Sequence, residues 1–103
     1  MTKVNKLRLK EIAKQELRAI HDAGADKIRI LMDTSESSRR TENGEEITIY
    51  SRSSWEDQKN PQYKDRFVRV MVSVNDGSFW RQFVPITADN IYDLQTGTWM
   101  KSE

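Results

Sequence analysis

Residues 66–84 read RFVRVMVSVNDGSFWRQFV, two β-rich runs separated by Asn75, Asp76 and Gly77. Valine and the aromatic residues favour strands, and an Asp-Gly pair between two such runs is the strongest short-range signal for a hairpin. The pattern therefore predicts an antiparallel hairpin over residues 65–85, with Pro85 ending its second strand.

The length of the turn determines which side chains lie opposite each other. A two-residue turn places Val74 opposite Phe79, whereas a three-residue turn with Gly77 in a left-handed bulge places Val72 opposite Trp80. We favour the first register because it collects the valines and phenylalanines on one apolar face: Val68, Val70, Val72, Val74, Phe79 and Phe83.

Bulky apolar side chains also remain for the second face of this hairpin, namely Phe67, Met71 and Trp80. Successive side chains of a strand point to opposite faces, and an antiparallel sheet with one solvated face carries polar residues there. We therefore expect something to cover the second face: another part of the chain, a second copy or a partner.

The composition is that of one globular domain spanning residues 1–103. Charged residues make up 32%, apolar residues 36%, and the net charge is +1. A charge so near zero argues against a protein that neutralises nucleic acid in bulk, and equally against an acidic mimic of DNA. The lack of cysteine excludes disulfides, thiol chemistry and thiolate metal sites.

No stretch of the sequence predicts a membrane segment. No apolar run approaches the roughly 18 residues of a transmembrane helix. The positively charged start lacks the apolar stretch of a secretory signal. We therefore expect a cytoplasmic protein.

The N-terminal third begins with a predicted helix over residues 6–23, which Gly24 ends as a left-handed residue after the last turn. Apolar residues recur at helical spacing and form one stripe: Leu9, Ile12, Ala13, Leu17 and Ile20. The stripe predicts a helix that packs on a sheet.

Four segments follow this helix. Residues 27–33 and 46–52 alternate as strands do. Between them, residues 34–45 are predicted as a polar loop; alternatively, Asn43-Gly44 is the turn of a long hairpin. Residues 53–64 form a second loop, whose two aromatic residues either fold back over the sheet or project as binding anchors.

The C-terminal segment allows two interpretations. Residues 87–94 have a capping pattern typical of a short helical turn, followed by a turn and a short last strand at Trp99-Met100. Alternatively, residues 90–100 form a hairpin of their own. Under either interpretation this segment is a candidate cover for the second sheet face.

These elements predict the α+β class: an N-terminal amphipathic helix packed on an antiparallel sheet of four to five strands. The predicted core consists of Leu9, Ile12, Leu17, Ile20, Ile28, Ile30, Ile47, Ile49, Val68, Val70, Val72, Phe79 and Phe83.

No catalytic constellation is present. His21 is the one histidine and lacks a nearby orienting group in the sequence, since its neighbour Asp22 does not share its helix face. The carboxylates follow no metal-loop spacing, and the glycines form no phosphate-binding loop. We therefore expect no enzyme activity, no metal and no cofactor.

Nucleic-acid binding is one of two functional hypotheses. Aromatic and arginine side chains on a sheet stack bases and hold the phosphate backbone of a single strand. The candidate residues lie on or beside predicted strands: Tyr50, Arg52, Arg66, Phe67, Arg69, Trp80 and Arg81.

Protein binding is the hypothesis that we favour, because small antiparallel sheets offer edges and aromatic surfaces to partners. The chain would be a non-enzymatic module, such as a regulator, an inhibitor or an accessory subunit, or would self-associate. The predicted partner-binding residues are Arg39, Arg40, Trp55, Tyr63, Arg69 and Trp80.

Overall fold

The computed structural model describes residues 6–42, 44–57, 59–77 and 86–100. Two helices and a five-stranded antiparallel sheet make up these ranges, which confirms the predicted α+β class. The elements are α1 (Lys6–Ala23), α2 (Ala25–Asp33), β1 (Glu36–Glu42), β2 (Glu45–Trp55), β3 (Phe67–Asn75), β4 (Ile86–Asp93) and β5 (Thr98–Trp99).

The sheet is a meander, because its spatial order β1-β2-β3-β4-β5 is the order of the chain. Helix α1 packs against β3 and β4, and α2 packs against β2. Both helices lie on the same side of the sheet, which we call the helix face; the opposite side is the outer face. The core lies between the helices and the helix face.

Helix α1 has the predicted bounds, and its whole apolar stripe is buried. Gly24 ends α1 with φ of +92°, and its N–H donates to the His21 carbonyl at 3.0 Å. The same glycine is the N-cap of α2, so one residue with backbone freedom supplies the bend between the two helices.

The strand predicted at residues 27–33 is wrong, because this segment is helix α2. Ile28 and Leu31, three residues apart, point into the core, whereas Ile30 is 54% exposed. Ile30 is therefore not a core residue, contrary to the prediction. A seven-residue segment is too short for its periodicity to distinguish a helix from a strand, and β1 and β3 already occupy both edges of β2.

The loop predicted at residues 34–45 is largely strand, and the alternative hairpin interpretation is confirmed. Glu42 lies opposite Glu45 across the predicted turn, in which Gly44 has φ of +80°, while Asn43 lies outside the described residues. Strand β2 is confirmed and extends to Trp55. Strand β1 was not predicted because its residues are polar on both faces. Its sequence therefore has no alternation of apolar and polar side chains.

Strand β3 is confirmed, and its four valines are completely buried on the helix face. Its predicted partner strand is wrong, since Val74 lies opposite Ile86 of β4 and not opposite Phe79. A strand has two edges, and β2 and β4 occupy both edges of β3. The predicted second strand, with Phe79, Trp80 and Phe83, lies outside the described residues.

The helical turn predicted at residues 87–94 is also wrong, because β4 covers this segment. The alternative C-terminal hairpin is confirmed: Tyr92 pairs with Trp99, and Gly97, with φ of +74°, turns the chain between them. The remaining predicted core residues in the described ranges are buried: Leu9, Ile12, Leu17, Ile20, Ile28, Ile47, Ile49, Val68, Val70 and Val72.

Candidate functional site

The outer face of the sheet is a mixture of polar and apolar side chains. The register places these residues on its three central strands: Thr48, Tyr50, Arg52, Ser54, Phe67, Arg69, Met71, Ser73, Thr87, Asp89, Ile91 and Asp93. Met71 and Ile91 are half-buried, and Tyr50 is exposed. The predicted apolar second face is therefore present only in part.

Phe67 is buried on the outer face by the chain itself. The Tyr63 ring meets it edge to face, with centroids 4.7 Å apart, and the Arg66 guanidinium lies 4.8 Å from its ring centre. The interpretation that the second loop folds back over the sheet is thus confirmed for Tyr63. As a binding residue, Tyr63 offers only the part of its ring that Phe67 leaves uncovered.

Arg69 connects two carboxylates that are far apart in the sequence. Its Nε donates to Glu56 at 2.7 Å, and its Nη1 donates to Asp89 at 2.5 Å. The hydrogen bonds to Glu56 and Asp89 raise the pKa of Arg69, the one to Glu56 most. The side chain holds β3, β4 and the segment after β2 together, so a partner that bound it would have to compete with both carboxylates.

A second such bridge lies at the end of β4. The Arg66 guanidinium donates two hydrogen bonds to the Asp93 carboxylate, at 3.1 and 2.9 Å, and the backbone N–H of Gln95 donates a third at 2.9 Å. These bonds, led by those from Arg66, lower the pKa of Asp93 to about 2. A buried carboxylate at this position is therefore a structural group.

Strand β1 is one of the two edge strands of the sheet, the other being the two-residue β5, and β2 is its one partner among the described residues. Six of its seven residues are exposed, and the seventh, Glu42, is half-buried. We call the free side of Glu36–Glu42 the β1 edge. The predicted residues Arg39 and Arg40 both lie here: Arg39 on the outer face opposite Thr48, Arg40 on the helix face opposite Ile47.

Ion pairs fix both ends of β1 to the helices. At one end Arg8 of α1 donates to Glu42 at 3.1 and 3.3 Å, and at the other Lys27 of α2 donates to Glu36 at 2.5 Å. Hydrogen bonds from Arg8 and then Arg40 lower the pKa of Glu42. The strand is therefore held in place although it is exposed.

The backbone of β1 presents alternate residues to its free side. Glu42 lies opposite Glu45 across a two-residue turn, and such a turn closes with a hydrogen-bonded pair. Because hydrogen-bonded and non-hydrogen-bonded pairs alternate along an antiparallel ladder, we expect the N–H and C=O groups of Ser37, Arg39 and Thr41 to point away from β2.

Trp55 lies on the same edge of the sheet, but far from the two arginines. It is the last residue of β2 and is 38% exposed. It follows Thr48, the residue opposite Arg39, by about seven residues, or roughly 24 Å along the strand. The structure thus brings Arg39, Arg40 and Trp55 to one edge, and places Tyr63 and Arg69 elsewhere; Trp80 lies outside the described residues.

An aromatic cluster near the C-terminal end of α1 was missed in the sequence. The Trp99 ring lies 4.8 Å from His21 and 5.5 Å from Tyr92, between ring centres. Tyr92 lies opposite Val68, and Trp99 lies opposite Tyr92, on the helix face. Trp99, a candidate cover for the outer face, therefore does not cover it. The pairing of Tyr92 with Trp99 in the C-terminal hairpin was the one signal that could have revealed the cluster.

No protein-family model, curated protein or solved structure matches this chain. In the ranges that the structure describes, no helix is long and apolar enough to span a bilayer. The same ranges contain no group of three metal-ligating side chains placed to hold an ion. The β1 edge, an exposed seven-residue strand at the margin of the sheet, is the candidate site.

Proposed function

We propose that this chain is a non-enzymatic protein-binding module that takes up an extended segment of its partner along the β1 edge. The observation that carries the proposal is the position of β1: a seven-residue strand at the margin of the sheet, with exposed side chains on both faces. Strand addition at such an edge is a recurring mode of protein recognition.

The physical basis is the row of backbone groups on the free side of β1. An incoming strand satisfies the N–H and C=O groups of Ser37, Arg39 and Thr41 with main-chain hydrogen bonds, which supply affinity for any sequence. The ion pairs of Glu36 and Glu42 hold the strand in its extended form before binding. Preorganisation of this kind lowers the entropy lost on association.

The side chains of β1 supply selectivity. Arg39 is 75% exposed, and its nearest carboxylate, on Glu46, lies 3.5 Å away. Opposite charges across a strand pair are favourable and like charges are unfavourable. Charges on an edge also discourage unselective pairing, so the β1 edge favours a strand with an acidic residue opposite an arginine.

The test is selection of displayed peptides against the immobilised protein, followed by affinity measurements on two variants. Ser37→Pro removes an N–H on the free side of β1 and leaves the bonds to β2 intact, since proline is tolerated at such edge positions. Ser37→Ala is the matched control. We expect Ser37→Pro to weaken binding about tenfold or more, and Ser37→Ala to bind like the parent.

Equal binding by both variants would contradict a strand-addition site on β1. Circular dichroism and thermal unfolding establish that each variant is folded. If Ser37→Pro does not fold, Thr41→Pro removes the next free N–H along the same edge and serves the same purpose.

Single-stranded nucleic acid is a second candidate partner, favoured by one observation on the outer face. Tyr50 is 40% exposed there, and Arg52 follows it on the same face with its guanidinium directed at the Met71 sulfur, 3.9 Å away. A stacking ring beside a cation is the element that such proteins use. Fluorescence anisotropy with a labelled oligonucleotide tests this: binding should fall steeply with salt and be lost in Tyr50→Ala. No binding at low salt would exclude it.

A further inference from the structure

The geometry points to a second copy of this chain as the occupant of the β1 edge. The two β1 strands pair antiparallel about a two-fold axis that is perpendicular to the sheet and passes between Ser38 and Ser38 of the second copy. We call this arrangement an axis at Ser38. This inference rests on the proposed function of that edge, and it names the partner. It joins two five-stranded sheets into one continuous sheet with all helices on the same side.

The charges of β1 favour this register. An axis at Ser38 places Glu36 opposite Arg40 of the second copy, twice by symmetry, and Ser37 opposite Arg39. Both members of the charged pair lie on the helix face, as direct cross-strand neighbours must. Every charge on the strand except Glu42, which Arg8 and Arg40 already hold, then faces an opposite charge or a hydroxyl.

The two registers displaced toward the C-terminal end of β1 are unfavourable. An axis at Arg39 sets that arginine against its own copy and Glu36 against Glu42, and an axis at Arg40 sets Arg40 against itself. Like charges directly opposite each other destabilise a strand pair. The spacing of the sequence ESSRRTE over residues 36–42 therefore excludes these two alternatives and permits the axis at Ser38.

The hydrogen-bond pattern is consistent with the same register. The free backbone groups of β1 belong to Ser37, Arg39 and Thr41, and an axis at Ser38 pairs Ser37 with Arg39 of the second copy in both directions. Glu36 and Arg40 then form non-hydrogen-bonded pairs, in which side chains across the ladder come closest.

Helix α2 supplies a further contact. Its Lys27 reaches Glu36 on β1, which identifies the flank of α2 nearest the edge. Ile30 lies three residues further along that flank and is 54% exposed. Because α2 packs on β2, the two copies of α2 would lie about three strand spacings, or roughly 14 Å, apart. That exceeds the 8–10 Å of packed helices, so any contact between the two copies of α2 is limited to side chains on these flanks, such as Lys27 and Ile30.

Analytical ultracentrifugation of the full chain, over a range of concentrations, tests the inference by charge exchange. Arg40→Glu alone or Glu36→Arg alone turns both cross-strand pairs into like charges, and we expect the association constant to fall about tenfold or more. An equimolar mixture of the two variants restores both pairs as a heterodimer, as does the double variant in one chain. Arg29→Glu is the matched control, since Arg29 is exposed on α2 and lies outside β1, and it should dimerise like the parent.

Several outcomes would overturn the inference. If the parent protein stays monomeric while selected peptides still bind and Ser37→Pro weakens that binding, the result contradicts a second copy as the occupant and agrees with the proposed function. If the parent dimerises and neither Arg40→Glu nor Ser37→Pro changes the association constant, the dimer uses another surface. If Arg29→Glu and Arg40→Glu lower the association constant equally, and the mixture of Glu36→Arg with Arg40→Glu does not restore it, the register is rejected.

Discussion

Replacing Asp93 by asparagine should make the protein less stable at neutral pH but leave its stability in acid almost unchanged. The Asp93 side chain is 9% exposed and accepts hydrogen bonds from both guanidinium nitrogens of Arg66 and from the backbone of Gln95. It thus ties the end of β4 to the residue that precedes β3. Asp93→Asn keeps the shape of the side chain but removes its charge.

The pKa of Asp93 is lowered from 3.8 to about 2, mainly by the hydrogen bonds from Arg66. A carboxyl group whose pKa is lower in the folded state stabilises the fold above its unfolded pKa, and this contribution is lost as the pH falls through the folded pKa. A shift of this size corresponds to about 2–3 kcal/mol. Because 39% of the Arg66 side chain is exposed, solvent screening reduces the expected contribution to about 1–2 kcal/mol.

Urea unfolding at several pH values measures the effect. At pH values well above the unfolded pKa, the free energy of unfolding of Asp93→Asn should be about 1–2 kcal/mol below that of the parent, and the two should converge as the pH falls toward the folded pKa. Asp33→Asn is the control: Asp33 is exposed at the end of α2, and its change should stay within about 0.5 kcal/mol. If Asp93→Asn lowers the free energy of unfolding by the same amount at every pH, the loss does not come from the charge of Asp93, and the reasoning is refuted.

Three further substitutions test the fold by urea or thermal unfolding. Val70→Ala should cost about 2–4 kcal/mol, because Val70 is completely buried at the centre of the sheet; a loss below about 0.5 kcal/mol would contradict that packing. Ser53→Ala should stabilise the protein by about 1 kcal/mol, since the buried Ser53 Oγ has no hydrogen-bond partner in the described ranges; destabilisation would reveal a bond there. Gly24→Ala should cost about 1–3 kcal/mol, because φ is +92° and ψ is −175° although no atom lies within 4 Å of the added Cβ; a neutral result would contradict that backbone.

Two elements could be predicted from the sequence because their patterns are long and regular. The stripe of α1 repeats at helical spacing over 18 residues and stops at Gly24. The valines of β3 alternate over nine residues. Each pattern repeats several times, so a strand does not fit the first pattern and a helix does not fit the second.

The other elements lack such a pattern for physical reasons. Strand β1 is solvated on both faces, so no apolar residue marks it. Strand β4 buries a polar residue, Asn90, whose Oδ1 accepts a hydrogen bond from the N–H of Ile91, and so it does not alternate as a strand with one buried face does. Helix α2 is too short for its periodicity to distinguish a helix from a strand.

The candidate site was predictable only in part. Arg39 and Arg40 were identified as exposed cations, and the structure places them on the β1 edge. Arg69 was predicted as a partner-binding residue, but it is held by Glu56 and Asp89. Those carboxylates come near it only through the register of β2, β3 and β4, which a sequence does not display.

Amide hydrogen exchange along β1, measured by NMR, tests the central claim most directly. In dilute protein the amides of Ser37, Arg39 and Thr41 should exchange rapidly, while those of Ser38 and Arg40, bonded to β2, should be protected. When the concentration is raised, exchange at Ser37 and Arg39 should slow about tenfold or more, and a selected peptide should also slow exchange at Thr41. Free exchange of Ser37, Arg39 and Thr41 under every condition would contradict strand pairing at the β1 edge.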